Sequence, residues 1–281
     1  MSASALLLPR GRSLPLDCGP LVMGIVNVTP DSFYEPSRRV CAIRAAEAAL
    51  AMEAEGAAIV DLGGESTRPG SAAVGETEEL ERVVPAVEAI RARSALPLSV
   101  DTRKAAVAAA ALAAGADIVN DVSALGDAAM AGLVARSGAA LVLMHMRGEP
   151  ATMQEAPAYG DCAAEVAAYL EAAASRAAAA GVAREAIVLD PGIGFGKRLE
   201  DNLELIAHLG LVAELGFPVL VGLSRKSFVG ALTGRDAEGR LAGSLGAACA
   251  AFAAGARIFR VHDVAATVDA LAAFSASRGA A

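Results

Sequence analysis

One pattern recurs along almost the whole chain: a short apolar run rich in Val, Ile and Leu, followed by an alanine-rich stretch of helical length. Runs that are apolar throughout are typical of strands in a parallel sheet, where both faces are buried. The runs number eight, at Leu21–Val28, Ala57–Gly64, Leu96–Thr102, Asp117–Ser123, Ala140–Met146, Ala186–Gly192, Pro218–Ser224 and Arg257–Asp263. This alternation restricts the chain to the α/β class.

The stretches between the apolar runs are rich in Ala, Leu, Glu and Arg, which favour helices. The clearest predicted helices are Cys41–Glu55, Glu78–Arg93 and Lys104–Ala114. Many helical stretches end in a glycine, which tolerates the left-handed conformation of a helix C-terminus, at Gly56, Gly115, Gly138, Gly181, Gly216 and Gly255.

Eight β-α units in 281 residues predict a single domain, an eight-stranded parallel β/α (TIM) barrel over residues 21–281. Residues 1–20 are expected to form an irregular lead-in. An open doubly wound sheet is the alternative, although such sheets usually have fewer strands.

Charge and hydropathy exclude several classes of partner. The chain carries 24 Lys and Arg against 32 Asp and Glu, and a net charge of −8 argues against a nucleic-acid or anionic-membrane surface. The longest charge-free stretch, Leu241–Ala256, is shorter than the roughly 18 residues of a membrane span, and the N-terminal apolar run is too short for a signal peptide. Four isolated cysteines, Cys18, Cys41, Cys162 and Cys249, indicate free thiols in a reducing compartment. We therefore expect a cytoplasmic protein.

Polar side chains stand at the carboxyl ends of the predicted strands, where β/α barrels hold their active sites. Asp101, Asn120 and Asp190 can hydrogen-bond a flat, nitrogen-rich heterocycle. Asn27 offers an oxygen of the kind that Mg²⁺ accepts beside phosphate oxygens and water. A basic set suits phosphate oxygens and comprises Arg68, Arg225, Lys226, Arg260 and His262. The two sets together predict a polar ring ligand that carries a phosphate or pyrophosphate.

Several of these side chains also have an ordinary structural interpretation. Asp61, Asp121 and Asp263 could cap helices or form structural ion pairs. Lys226 could form a Schiff base, although its Ser-Arg-Lys-Ser turn suits a ligand contact better. His145 lies between two methionines and is interpreted as a packed histidine.

The segment Gly192–Lys197 is only superficially similar to a phosphate-binding loop. Pro191 stands where that motif requires its first glycine, and Arg198 stands where it requires Ser or Thr. We reject nucleotide binding there, and expect Phe195 to form a wall for a flat ligand instead. No His, Cys or Glu cluster has the spacing of a zinc site.

Eight sequence blocks stand at the ends of the predicted strands. They read MGIVNVTPDSF at 23–33, GGESTRPG at 63–70, SVDT at 99–102, IVNDVS at 118–123, LMHM at 143–146, DPGIGFGK at 190–197, GLSRKS at 222–227 and RVHDV at 260–264. These blocks resemble those of the dihydropteroate synthases, the folate-pathway transferases that sulfonamides target. They follow the family order and span residues 21–264.

The resemblance implies a homodimeric barrel that joins 6-hydroxymethyl-7,8-dihydropterin pyrophosphate to p-aminobenzoate and requires Mg²⁺. It implies that the pterin is held by Asp101, Asn120, Asp190 and Lys226, with Arg260 stacked against it. It also implies that the pyrophosphate is bound by Asn27, Arg68, Arg260 and His262, and that Asn27 is a ligand of the metal ion as well. Thr67 and Pro69 belong to a mobile loop, and Ser227 meets the p-aminobenzoate carboxylate at the start of a helix. Met144, Phe195 and Gly222 complete the expected binding surface, and the expected catalytic residues are Asp101, Asp190, Lys226, Arg260 and His262.

The chain departs from the family at one loop. The family commonly reads Ser-Asp-Gly-Gly after Asp31-Ser32-Phe33, whereas this chain reads Tyr34-Glu35-Pro36-Ser37. Pro36 fixes φ and cannot adopt glycine-only conformations, so we expect a stiffer loop and an effect on p-aminobenzoate binding. Two alternatives therefore stay open: a pterin-binding paralogue with lost or altered activity, and a folate-dependent methyltransferase with a corrinoid partner. The basic residues of the last two strands favour a pyrophosphate substrate over the methyltransferase.

Overall fold

The computed structural model of the chain describes residues 4–28, 35–66, 70–71 and 73–279, with residues 35–40 described by backbone alone. A short antiparallel hairpin of β1 (Ala5–Leu7) and β2 (Ser13–Pro15) comes first. Eight parallel strands follow: β3 (Leu21–Asn27), β4 (Ile59–Gly63), β5 (Leu98–Asp101), β6 (Ile118–Asp121), β7 (Ala140–Met144), β8 (Ile187–Asp190), β9 (Leu220–Val221) and β10 (Ile258–Val261). Each lies within one of the eight apolar runs.

The strands pair in the order β8-β7-β6-β5-β4-β3-β10-β9. A parallel bridge between Leu189 and Val219 joins the two outer strands, and the N–H of Leu189 donates to the Pro218 carbonyl at 2.9 Å. The sheet therefore closes on itself, which confirms the predicted barrel and excludes the open doubly wound sheet.

Helices surround the barrel. They are α1 (Glu35–Ala54), α2 (Glu76–Arg91), α3 (Ala105–Ala114), α4 (Met130–Ser137), α5 (Cys162–Ala179), α6 (Leu199–Ala207), α7 (Gly210–Ala213), α8 (Ser227–Thr233), α9 (Leu241–Ala253) and α10 (Val264–Ser277). All six glycines predicted at helix ends have positive φ, between 67° and 117°. The alanines of α3, α5 and α9 let these helices pack closely against the outer face of the strands.

The lead-in at residues 1–20 was expected to be irregular, and this expectation is wrong. The hairpin buries Leu6, Leu8 and Leu16 against the amino ends of the barrel strands, which form the floor of the barrel. Their barrel partners are Met23, Ile59, Ile118, Ala140, Val142, Val188, Leu220 and Ile258. The hairpin is stabilised because Leu6, Leu8 and Leu16 cover apolar surface that the open floor of the barrel would expose to water.

Two expectations about the chain as a whole can be compared with the structure. In the described ranges, no helix is both long enough and apolar enough to span a lipid bilayer. All four cysteines are free thiols, and the thiol of Cys162 is fully buried.

Candidate active site

The period-two geometry of strands builds the site. Successive side chains alternate between the two faces of a strand, so residues two apart face the same side. Apolar side chains fill the floor of the barrel, and polar ones occupy the interior positions two residues further along the same strands. Ile59, Ile118, Val188 and Ile258 of the floor are thus followed by Asp61, Asn120, Asp190 and Arg260 at the site.

Arg260 is the centre of a polar cluster inside the barrel. Its Nε donates to Oδ2 of Asp61 at 2.6 Å, and its Nη2 donates to Oδ2 of Asp101 at 2.8 Å. Nδ2 of Asn120 donates to the same Asp61 oxygen at 3.2 Å. These contacts bring the predicted residues Asp101, Asn120 and Arg260 together, and they add Asp61 as the residue that holds two of them.

The sequence predicts Asp61 only as a possible helix cap or structural partner, and does not reveal its place in the site. It is fully buried, and its partner Arg260 lies 199 residues away in the chain, so no local signal could indicate the contact. Its Oδ1, like Oδ1 of Asp101 and Oδ1 of Asn120, has no hydrogen-bond partner among the described residues. Buried oxygens without partners are costly, and they mark where ligand donors can bind.

The two carboxylates of the expected pterin site have shifted pKa values. Burial raises the pKa of Asp101 to about 7. The Arg260 guanidinium partly offsets this rise, and the nearby carboxylate of Asp61 adds to it. Burial also raises the pKa of Asp190, while Lys226 and an N–H from Gly192 act in the opposite direction. That N–H donates to Oδ1 of Asp190 at 2.7 Å. Both carboxyl groups are thus poised to change charge when donors or cations arrive.

Lys226 lies against the loop that follows β8. Its Nζ donates to the carbonyl of Ile193 at 2.7 Å and stands 4.0 Å from the centroid of the Phe195 ring. Burial lowers the pKa of Lys226 to about 7, although the neighbouring Asp190 favours its charged form. Phe195 therefore contacts the lysine of the site, as a wall residue would.

The glycines of this loop permit a close approach to the end of β7. Gly192 and Gly196 have φ of +66° and +60°, and a Cβ there would lie 1.9 Å from the His145 carbonyl oxygen and 2.3 Å from that of Arg147. Only glycine fits at such positions. Lys197, which follows them, is buried against the loop's own carbonyls, so its ammonium does not serve a ligand phosphate as the lysine of a phosphate-binding loop does.

The remaining predicted residues lie around the same end of the barrel. Asn27 ends β3 with an exposed side chain, Met144 ends β7 and is buried, and Ser227 begins α8. Nδ1 of His262 lies 3.2 Å from Oγ of Ser224. A Cβ at Gly222 would meet no described atom within 4 Å, so the space beside it is open.

Three predicted site residues, Thr67, Arg68 and Pro69, lie outside the described residues, as does Tyr34. Residues 35–37 of the divergent segment belong to the first turn of α1 rather than to a loop.

Arg225, a further member of the predicted basic set, is paired with Asp263. Its Nε and Nη2 donate to the carboxylate of Asp263 at 3.0 and 2.6 Å. Its backbone has φ +57°, and its N–H donates to Oγ of Ser244. This turn pairs Arg225 with Asp263, so Asp263 is a structural partner.

Asp121 has a structural role as well, since it accepts hydrogen bonds from the N–H groups of Ser123 and Leu125.

Among the described residues, no group of three or more His, Cys, Asp or Glu side chains could hold a metal ion. Asn27, the metal ligand that the sequence predicts, supplies one amide oxygen at the rim of the barrel.

The closed β/α barrel carries unpaired acceptors, a lysine and an arginine at its carboxyl end. This fold and this site together define an enzyme that binds a polar heterocycle. Residues 23–262 match the family described as pterin binding enzyme. The chain is 46% identical over 274 residues to the dihydropteroate synthase of Escherichia coli, with 98% of this chain and 97% of that protein covered. It is 49% identical over 265 residues to the dihydropteroate synthase of Neisseria meningitidis serogroup C, with 92% of each covered.

The fold agrees with solved structures. The dihydropteroate synthase of Xanthomonas albilineans with 4-aminobenzoic acid superposes with a TM-score of 0.89 at 48% identity, and 98% of each chain is covered. The same enzyme in complex with 7,8-dihydropteroate gives a TM-score of 0.85 at 46% identity, with 97% of this chain and 98% of that one covered. The chain belongs to the dihydropteroate synthase family.

Proposed function

We propose that this site condenses 6-hydroxymethyl-7,8-dihydropterin pyrophosphate with p-aminobenzoate, releasing dihydropteroate and pyrophosphate. The observation that carries the proposal is the set of buried acceptors that lack partners, Oδ1 of Asp101 and Oδ1 of Asn120, across the barrel mouth from Lys226. A pterin presents ring N–H and amino donors along one edge and a carbonyl and ring nitrogens along another. Asp101, Asn120 and Asp190 match the donors, and Lys226 matches an acceptor.

The pyrophosphate binds beside Arg260 and His262, where the Arg260 guanidinium supplies positive charge, both side chains supply hydrogen-bond donors, and Arg68 is expected. Asn27 would hold a Mg²⁺ ion there, because one amide oxygen suits a magnesium ion whose other ligands are phosphate oxygens and water. When bound, Mg²⁺ neutralises charge on the pyrophosphate. Ser227 at the start of α8 meets the carboxylate of p-aminobenzoate, and Met144, Phe195 and Gly222 complete the described part of the binding surface. Thr67 and Pro69, which lie outside the described residues, are expected to contribute as well.

The residues act by electrostatic preorganisation. As the bond between the exocyclic CH₂ and the pyrophosphate oxygen lengthens, positive charge develops on the pterin and negative charge on the leaving group. Asp101 and Asp190 stabilise the cation once ring donors favour their ionised forms, while Arg260 and His262 stabilise the departing anion. The neutral arylamine nitrogen of p-aminobenzoate then attacks the CH₂ group and loses a proton to water, so no strong base is required.

The enzyme works as a cytoplasmic homodimer without nucleic-acid or membrane partners. The dimer is supported by exposed leucines on neighbouring helices, Leu199 and Leu203 of α6 and Leu232 of α8, which are 36, 39 and 56% exposed. Large apolar side chains that cluster on a surface favour association.

Pyrophosphate release by the purified protein tests the proposed function. The protein is given the dihydropterin pyrophosphate with and without p-aminobenzoate and with and without Mg²⁺. Release that requires Mg²⁺, rises with p-aminobenzoate and yields dihydropteroate is the expected result. Pterin binding without release would instead indicate a paralogue disabled by its Tyr34–Ser37 segment, and transfer of a methyl group from a folate to a corrinoid protein would indicate a methyltransferase.

A further inference from the structure

Lys197 has a buried amine that no step of the proposed reaction uses. Only 3% of the residue is exposed, although it follows directly on the loop at residues 191–196. A lysine ammonium has three N–H donors and no acceptor. Nζ has three close acceptors, namely the carbonyls of Gly192 at 2.9 Å and Phe195 at 3.1 Å and Nδ1 of His145 at 2.9 Å, while the His145 carbonyl lies further away, at 3.5 Å.

His145 is suited to be the third acceptor. Burial, together with the charges of Lys197 and Arg147, lowers the pKa of His145 to about 3, so the imidazole is neutral. When Lys197 is charged it can only donate, so Nδ1 then accepts and the imidazole proton lies on Nε2. Burial lowers the pKa of Lys197 to about 7. In its charged form the ammonium is coordinated by His145 and by the backbone of the loop.

The other side of the same loop holds Lys226. The Ile193 carbonyl accepts from Nζ of Lys226, and the Phe195 ring lies beneath that ammonium. A second support, Oδ1 of Asn202, accepts from the N–H of Gly194 at 2.6 Å. The loop carbonyls of Gly192 and Phe195 thus point to Lys197, while the carbonyl of Ile193 points to Lys226.

We infer that Lys197 is a positioning residue: it sets the shape of the loop at residues 191–196, and through that loop it places Lys226 for the pterin. The inference rests on the proposed function, because it takes Lys226 to be a pterin contact. A buried hydrogen-bond network of this kind is sensitive to the loss of one member, since each orphaned acceptor keeps its desolvation cost.

A double-mutant cycle separates positioning from mere stability. The variants are Lys197→Met, Lys226→Met and the pair, and the probe is 6-hydroxymethylpterin, whose Kd is measured by calorimetry without turnover. If Lys197 acts through Lys226, then Lys197→Met raises Kd about tenfold in the wild-type background and less than about twofold in the Lys226→Met background. Lys197→Gln, which retains two donors, is carried through the same cycle in case Lys197→Met does not fold.

Leu6→Ala provides the matched control, because it removes a fully buried side chain from the floor of the barrel, far from the loop. It is expected to lower stability and to leave Kd unchanged in both backgrounds. Equal effects of Lys197→Met in the two backgrounds, or an unchanged Kd in the wild-type background, would overturn the inference. Failure of the wild-type protein to bind the pterin would instead count against the proposed function.

Discussion

At the scale of single residues, we expect the carboxylate of Asp101 to contribute most to catalysis. It contacts Arg260 and keeps one oxygen free for a ligand. Asp101→Asn keeps the shape but removes the charge that would stabilise a cationic pterin. We expect kcat to fall by about 100-fold, in the range seen when one preorganised electrostatic group is lost, while KM for p-aminobenzoate changes less than about threefold. Steady-state kinetics with both substrates measure this, and an unchanged kcat would exclude the role.

The raised pKa of Asp101 also has a consequence for stability. Its folded-state pKa of about 7 lies above its ordinary value of 3.8, so between these pH values the folded state binds the proton more tightly than the unfolded state does. The contribution of this group to the free energy of unfolding therefore falls as pH rises from about 4 through about 7. Asp101→Asn should remove that loss, and the difference in unfolding free energy between variant and wild type should grow by on the order of 3 kcal/mol over this range. Urea unfolding at several pH values measures it, and parallel curves would contradict the assignment.

Asp61 positions its neighbours Arg260 and Asn120. It is buried beneath Arg260 and Asn120, and its charge contributes to the raised pKa of Asp101. Asp61→Asn leaves Arg260 with one carboxylate instead of two, so we expect the pterin Kd to rise about tenfold, as for other lost charge-assisted contacts. Asp117→Asn is the control, because Asp117 is equally buried and paired with arginines but lies at the opposite end of the barrel. An equal rise in Kd for both variants would show a general loss of structure.

These residues also show how far the site could be predicted. The sequence placed Asp101, Asn120, Asp190 and Arg260 together because the carboxyl ends of parallel strands meet at one end of a barrel. It could not show that Arg260 bridges Asp61 and Asp101, since that depends on which rotamer reaches across the interior. Nor could it show that Arg225 turns to Asp263, because a positive φ in a non-glycine residue is set by its surroundings.

At the scale of secondary-structure elements, the N-terminal hairpin closes the floor of the barrel. A cluster around the buried Asp117 ties it down: this carboxylate accepts from Arg12 at 3.1 Å, from Arg91 of α2 at 2.7 Å and from Arg10. Strands of three residues separated by a Pro and a Gly give almost no periodic signal, which is why the sequence suggested an irregular segment.

Loss of packing in the hairpin should lower stability without changing catalysis. Leu6 is fully buried on the floor, so Leu6→Ala should cost about 3 kcal/mol, the usual range for a buried leucine. The floor lies at the opposite end of the strands from the site, so both KM values should stay within about twofold of wild type. Thermal and urea unfolding give the first quantity and steady-state kinetics the second. A large change in either KM would mean that the floor and the site are coupled.

At the scale of the whole molecule, the eightfold repeat determined the fold, because eight buried strands with helical connections have few arrangements other than a barrel. The quaternary structure has no such signal in the sequence, since surface leucines are common and only the folded helices place them side by side. Leu199 and Leu203 are one turn apart on α6, and the exposed Leu232 belongs to the neighbouring α8.

The proposed homodimer is tested by placing charge on that surface. Leu203→Glu together with Leu232→Glu would put two carboxylates from each subunit into an apolar contact, where unpaired charges are costly. We expect light scattering to report a dimer for the wild type and a monomer for this variant. Leu7→Glu is the control, because Leu7 is also exposed, at 42%, but lies on the hairpin at the barrel floor and should leave the dimer intact. Each barrel carries its own set of site residues, so a folded monomer should still bind the pterin. A dimer that survives both charges would mean that the subunits associate through a different face.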